Sequence, residues 1–269
     1  MDSSQIANHL LSDDTAARLA ALAALEEQSD QVALSEAILQ GLLHCLGHRR
    51  KAVQRGAATQ LVRFARTQSE IIPVLIDKLA DPDPRVRWTA AFTLSQISLS
   101  EPFPLPVLIE NLGHEESDLR WAAATAVIHL AERHPRVIED LIQLARAGNA
   151  VQRRIALYCL RDLGQKGEAA QAVYLASLSD PEPMVRLGSL SCLGKLKLAS
   201  GKTRVILLGL LEADPDWGVR RATAVTLGQI GDSAPGVIEA LMRAARSDDL
   251  GLRKAAAGAL EKLSRFSAG

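Results

Sequence analysis

A basic residue recurs at Arg87, Arg120, Arg153, Arg186, Arg220 and Arg253, at intervals of 33, 33, 33, 34 and 33 residues, and each opens an apolar run rich in small side chains. Self-similarity at a period between 20 and 50 residues marks a stacked array, in which each unit is one supersecondary element unable to bury its apolar face alone. Arrays of this kind usually bind a partner rather than transform a substrate. The repeated part is a turn followed by a helix, as in DPDPRVRWTAAFTLSQI from Asp81, DPEPMVRLGSLSCLGKL from Asp180 and DPDWGVRRATAVTLGQI from Asp214. Two looser copies precede these: one places Gln54 in the basic slot, 33 residues before Arg87, and the other places Arg18 there. Eight units follow, near 1–30, 31–67, 68–100, 101–133, 134–166, 167–199, 200–232 and 233–269, forming one array over 1–269. Asp-Pro at the turns stops one helix and starts the next, since proline ends a helix but is tolerated in its first turn.

The spacing inside each repeated helix states which face is buried. From Val86, the residues Ala90, Leu94 and Ile97 follow at plus 4, 8 and 11, within one stripe of a helix that turns about 100° per residue. The same stripe reads Leu119, Ala123, Val127 and Leu130, then Val185, Ser189, Leu193 and Leu196, then Val219, Thr223, Leu227 and Ile230. Small residues at plus 4 let neighbouring helices approach, and no period-2 alternation runs long enough for a sheet. The fold class is all-α, an α-solenoid of about eight helix pairs.

Composition limits the partners. Lys plus Arg and Asp plus Glu both count 31, so the net charge is zero, which argues against nucleic-acid or anionic-membrane binding driven by global charge. The first residues, MDSSQIANHLLSDD, lack the positive start and long apolar core of a secretory signal, and no run approaches a membrane span. A cytoplasmic location follows, in which Cys45, Cys159 and Cys192 stay reduced. Ser3, Ser4 and Gln5 at one end, and Arg253, Lys254, Glu261, Lys262 and Arg265 at the other, suit the polar capping units of an array. Oligomeric state stays open, with a monomer slightly favoured.

The pattern Asp-Pro, Val-Arg, then an Ala-rich helix closing on Leu-Gly-x-Ile-Gly, clearest in Asp214 to Gly231, resembles the HEAT-like repeat of phycobilisome lyases. That resemblance covers nearly the whole chain. It implies a right-handed superhelix of antiparallel helix pairs whose inner helices line a concave ligand face. It also implies that the recurring arginines pair with turn acids in a structural ladder, here Asp81, Asp83, Asp118, Asp180, Asp214, Asp216, Asp248 and Asp249.

Opposite the buried stripe, positions at plus 2, 6 and 9 point away from the core. They carry Trp88, Phe92 and Ser95, then Trp121, Thr125 and Ile128, then Arg154, Tyr158 and Arg161. Flanking units supply Arg55, Thr59 and Val62 on one side, and Leu187, Arg221 and Lys254 on the other. Of three Trp, two Tyr and four Phe in the chain, four fall in this patch. Trp, Tyr and Arg dominate binding hot spots because they offer large rigid contact area and directional donors. The expected partner-binding residues are therefore Trp88, Phe92, Trp121, Ile128, Arg154, Tyr158, Arg161, Leu187 and Arg221. A basic and aromatic groove fits an acidic peptide or helix of a partner protein through cation–π and charge-assisted contacts. Packing of the aromatics between repeats is the plainer alternative. An accessory role in bilin attachment and a nucleic-acid backbone site are two further alternatives.

Catalytic patterns are weak. His44 and His48 have an i, i+4 spacing beside Cys45 but no further ligand, so no metal is expected. Cys159 and Cys192 fall near the buried stripe, where inert thiols are expected. His-Glu occurs once, at His114 and Glu115, whereas the deoxyhypusine hydroxylases, another family of eight such repeats, need several such pairs to hold iron. There is no glycine-rich phosphate loop and no Ser, His and Asp pattern, so the chain reads as non-enzymatic, without cofactor.

Overall fold

The computed structural model describes residues 1–28, 32–97, 99–101 and 103–267, with side chains through Arg265. Among them every regular element is a helix. The chain forms two compact units, Met1–His134 and Pro135–Gly269. The first holds α1 (Ser3–Leu11), α2 (Thr15–Glu27), α3 (Glu36–Leu46), α4 (Lys51–Ala65), α5 (Ile71–Asp77, extended by a 3-10 turn over Lys78–Ala80), α6 (Pro84–Ser95), α7 (Leu105–Asn111) and α8 (Ser117–Arg133). The second holds α9 (Val137–Ala147), α10 (Ala150–Asp162), α11 (Glu168–Ser177), α12 (Pro183–Leu196), α13 (Gly201–Ala213), α14 (Trp217–Ile230), α15 (Pro235–Ala244) and α16 (Leu250–Ser267).

Both units are layered in the same way. In the first, α2, α4, α6 and α8 pack in sequence; in the second, α10, α12, α14 and α16 do so, while odd-numbered helices back them. The recurring helices thus form one layer of each unit. Their stripe is buried as the spacing requires: Ala90, Leu94, Ala123, Val127, Val185, Ser189, Leu193, Val219, Thr223 and Leu227 are all inaccessible or nearly so. Only the ends of the stripe, at Val86, Ile97, Leu119 and Ile230, are partly open. Close approach depends on small residues. A Cβ on Gly228 would lie 2.8 Å from the Ala259 Cα, so α14 and α16 touch through backbone at that point.

The turns explain the recurring basic residue. The last carbonyls of a helix and the turn beyond it lack intrahelical partners. Arg18 donates to Ser12 O at 2.6 Å, Arg87 to Asp81 O at 3.0 Å, Arg120 to His114 O at 2.6 Å, Arg186 to Asp180 O at 2.8 Å and Arg253 to Ser247 O at 2.6 Å, each six residues upstream. Gln54 fills the same slot, donating to His48 O at 2.7 Å. Arg153 reaches Gly148 O at 2.8 Å. Arg220 departs, stacking 4.3 Å over the Trp217 ring and donating to Leu211 O.

The acid ladder is shorter than the resemblance implies. Arg153 pairs with Asp180 at 2.8 Å and Arg186 with Asp214 at 2.7 Å, each linking one repeat to the turn of the next. Asp83 and Asp216 instead cap helices, accepting from Arg85 N and Val219 N. Asp249 accepts from Leu252 N, Asp81 pairs with Lys78 and Asp118 pairs with Lys51. These acids serve helix N–H groups, lysines and the non-recurring Arg85 and Arg221 instead, and a capping carboxylate satisfies helix-start donors that lack an intrahelical partner.

Candidate functional site

In the first unit the expected surface residues divide. Trp88 is only 9% exposed, whereas Trp121, one repeat on, is 49% exposed. Trp88 and Phe92 touch, with ring centroids 5.8 Å apart. They floor a cavity of about 180 Å³ walled by Gln54, Arg55 and Ala58 of α4 and by Asp118, Leu119 and Ala122 of α8. Lys51, at the start of α4, reaches Glu116 at 3.4 Å and Asp118 at 3.5 Å on the α8 side, beside the same cavity. Trp88 is therefore a wall between helices rather than an open platform, because side chains of both neighbouring helices close over it. Ser95, also expected outward, is buried, and its hydroxyl donates to Phe92 O. Ile128 is half-buried, and Arg55 and Thr125 are exposed.

In the second unit most of the expected arginines are engaged within the protein. Arg161 stacks 4.7 Å over the Tyr158 ring, pairs with Asp162 and donates to Ser191 Oγ at 2.8 Å. Arg221 donates to Trp217 O and lies 3.4 Å from Asp249. Arg154 differs. It is half-buried, its stem passes close over Gly188, and its Nε is buried without a hydrogen-bond partner. Leu187 is half-buried on α12.

Residues 36–128 and 172–261, more than half of the chain, match the family model of HEAT repeats. The chain belongs to the HEAT-repeat family. Among solved structures, the E. coli protein YibA is 17% identical over 98% of this chain and 93% of its own, with a TM-score of 0.55. The karyopherin Kap121p, bound to the SUMO protease Ulp1p, is 14% identical over 96% of this chain, with a TM-score of 0.69. Yeast importin-β (Kap95p) is 15% identical over 96%, with a TM-score of 0.60. This HEAT-repeat chain spans 33% of Kap121p and 40% of Kap95p, and identities this low show the shared solenoid fold alone. Among curated proteins nothing matches it.

The thiols of this HEAT-repeat protein and two of its histidines are engaged within the fold. All three thiols are buried. Burial pushes Cys45 up to about 11, and Cys159 and Cys192 to about 12, so at neutral pH none is a thiolate nucleophile. Cys45 donates to Leu10 O and Cys192 to Leu157 O. His48 and His114 do the same turn-closing job, accepting from Arg50 N and Glu116 N at 3.0 Å. Among the described residues no three His, Cys, Asp or Glu side chains are grouped to hold a metal, and no helix is long and apolar enough to cross a membrane.

Asp162 lies below the usual carboxylate range, first through its hydrogen bonds from Arg161 and then, against the opposing effect of burial, through Lys195 at 2.8 Å. Asp180 is held low too. Burial works against it, but hydrogen bonds from Arg153 and the Glu182 N–H prevail. A carboxyl with a folded pKa below its unfolded value takes up protons on unfolding. Its contribution is complete above the unfolded pKa, near 4, and disappears as pH falls through the folded value. Acid unfolding followed by circular dichroism should begin below pH ~4, and an Asp162→Asn and Asp180→Asn double variant should lose stability at pH 7 while flattening that acid dependence.

The sequence reading missed one group of residues. A cavity of about 960 Å³ opens at the turn edge of the first unit, lined among others by Arg18, His44, His48, Arg49 and Arg50. The basic run His48 to Lys51 was its visible signal, obscured because Arg18 comes from α2, 30 residues before His48.

Proposed function

We propose that this protein is a non-enzymatic binding module that holds an acidic segment of a partner protein on the α4, α6 and α8 layer of the first unit. One observation carries the reading: an exposed Trp121 stands on the layer that also holds an aromatic-floored cavity with Arg55 at its wall. Arg55 has no ion pair among the described residues, so its charge is available to a partner carboxylate. An exposed indole and a guanidinium without an ion pair, carried on one helix layer, are residue types that dominate interface hot spots. Arg154 offers a similar unpaired guanidinium on the second unit. In this reading the surface is the concave ligand face that the repeat resemblance implies for the inner helices. The repeats are of the phycobilisome-lyase type, on the strength of the Asp214 to Gly231 motif, whose Gly231 closes α14 at φ 81°. The module works in the cytoplasm, where its buried thiols stay reduced.

The karyopherin structures support the reading by fold: Kap121p is seen bound to Ulp1p, and Kap95 in complex with Nup1. The test places a photo-crosslinking amino acid at position 121 and, separately, at Val205, which is 71% exposed on α13. Illumination in cell extract should yield a defined adduct from position 121 alone, and Arg55→Glu should abolish it. Equal adducts from both positions, or an adduct indifferent to Arg55, would remove this layer from consideration.

A further inference from the structure

The turn-edge cavity of the first unit is distinct from the surface proposed above. Its deepest cation is Arg18, which is 5% exposed. Nε of that guanidinium is satisfied by Ser12 O, but neither terminal nitrogen has a hydrogen-bond or ion-pair partner among the described residues, and the side chain lines the cavity. Burying a charge without a counter-charge is costly, so a buried guanidinium with an open planar edge is poised for an external anion.

The surrounding charges say which anion. Lys78 is paired with Asp81 at 3.1 Å, and Arg85 with Asp83 at 2.8 Å, so both pairs are neutral overall. Among the described residues three lining arginines, Arg18, Arg49 and Arg50, have no ion pair, and one lining acid, Asp13, has none. Three positive charges against one negative leave two in excess. The histidines do not add to this at neutral pH through His48, which burial, then Arg18, hold below the ordinary imidazole range. A carboxylate would balance one of the two charges; a phosphomonoester carries about −1.5 to −2 at pH 7 and presents three acceptor oxygens. The cavity, at about 960 Å³, also has room for what the phosphate is attached to.

We propose that this cavity is a phosphomonoester-binding site, with Arg18 as its buried anchor and Arg49 and Arg50 at its rim. The ligand is a phosphoryl group, carried on a small molecule or on a phosphorylated side chain.

The repeat supplies a fold-preserving probe. Gln54 fills the slot of Arg18 in the next repeat and still donates to the carbonyl six residues upstream. Arg18→Gln should therefore keep the turn closed while removing the charge. Titration calorimetry on the full chain at low salt would use O-phosphoserine, a short Gly-Ser peptide bearing one phosphoserine, and the same peptide with serine or glutamate in its place. Both phosphorylated probes should release heat on binding, with Arg18→Gln weakening them by about ten-fold or more. Arg49→Ala with Arg50→Ala, both exposed, should weaken them with an unchanged melting curve. Equal affinity for O-phosphoserine and the peptide would identify a small-molecule source; a strong preference for the peptide would identify a protein source. The proposal is overturned if no phosphorylated probe binds at millimolar concentration, if the glutamate peptide binds as well, or if both variants bind like wild type.

Discussion

Arg186→Ala should destabilise the second unit by about 3–5 kcal/mol, the cost of stranding one member of a buried ion pair. The side chains of Arg186 and Asp214 are 8% and 2% exposed. Arg186 donates to both Asp214 oxygens, at 2.8 and 2.7 Å, and also to Asp180 O and Pro181 O. Removal therefore strands a buried carboxylate and reopens two turn carbonyls together. Arg186→Gln separates these effects: glutamine in this slot retains a turn carbonyl, as Gln54 shows, but cannot neutralise Asp214. Its loss should fall between wild type and alanine. Hydrogen exchange of the α12 and α14 amides reads the result locally, since a repeat array need not unfold in one step. Exchange rates in α12 and α14 indistinguishable from wild type would show that the pair contributes nothing to the stack.

The second large effect separates two tryptophans that look equivalent in the sequence. Trp88→Ala should cost about 3–5 kcal/mol, because it empties a packed site between α4 and α8. Trp121→Ala should cost well under ~1 kcal/mol, since an exposed side chain away from special backbone is usually near-neutral. Thermal unfolding by circular dichroism distinguishes them directly, and partner capture should show the reverse ranking. Two variants with equal melting curves would place Trp88 on the surface and contradict its burial.

Much of the fold was legible in the chain. A 33-residue beat, a stripe at plus 4, 8 and 11, and Asp-Pro stops fix helix identity, repeat number and buried face, because they depend only on local backbone geometry and on the cost of exposing an apolar stripe. Even the assignment of Gln54 to a basic slot agrees with its hydrogen bond to His48 O. The candidate site was less legible. Trp88 and Trp121 hold the same position in consecutive repeats, yet one is covered and the other open. What covers Trp88 is the particular side chains on α4 and α8, and periodicity carries no information about neighbours at that level.

What the sequence by itself determined is the all-α stack and the HEAT repeat, since each unit repeats one short-range pattern. What only the tertiary structure decided is how each charged group is used. Arg153 and Arg186 reach acids 27 and 28 residues onward, while Arg87 and Arg120 donate to turn carbonyls, with no carboxylate within 3.5 Å among the described residues. Arg18 is buried at the edge of a cavity without an ion pair among the described residues. The physical reason is range: a hydrogen bond to a carbonyl six residues back is encoded within one turn, whereas the presence or absence of a counter-charge depends on which side chains the packed neighbouring repeats deliver to the same place.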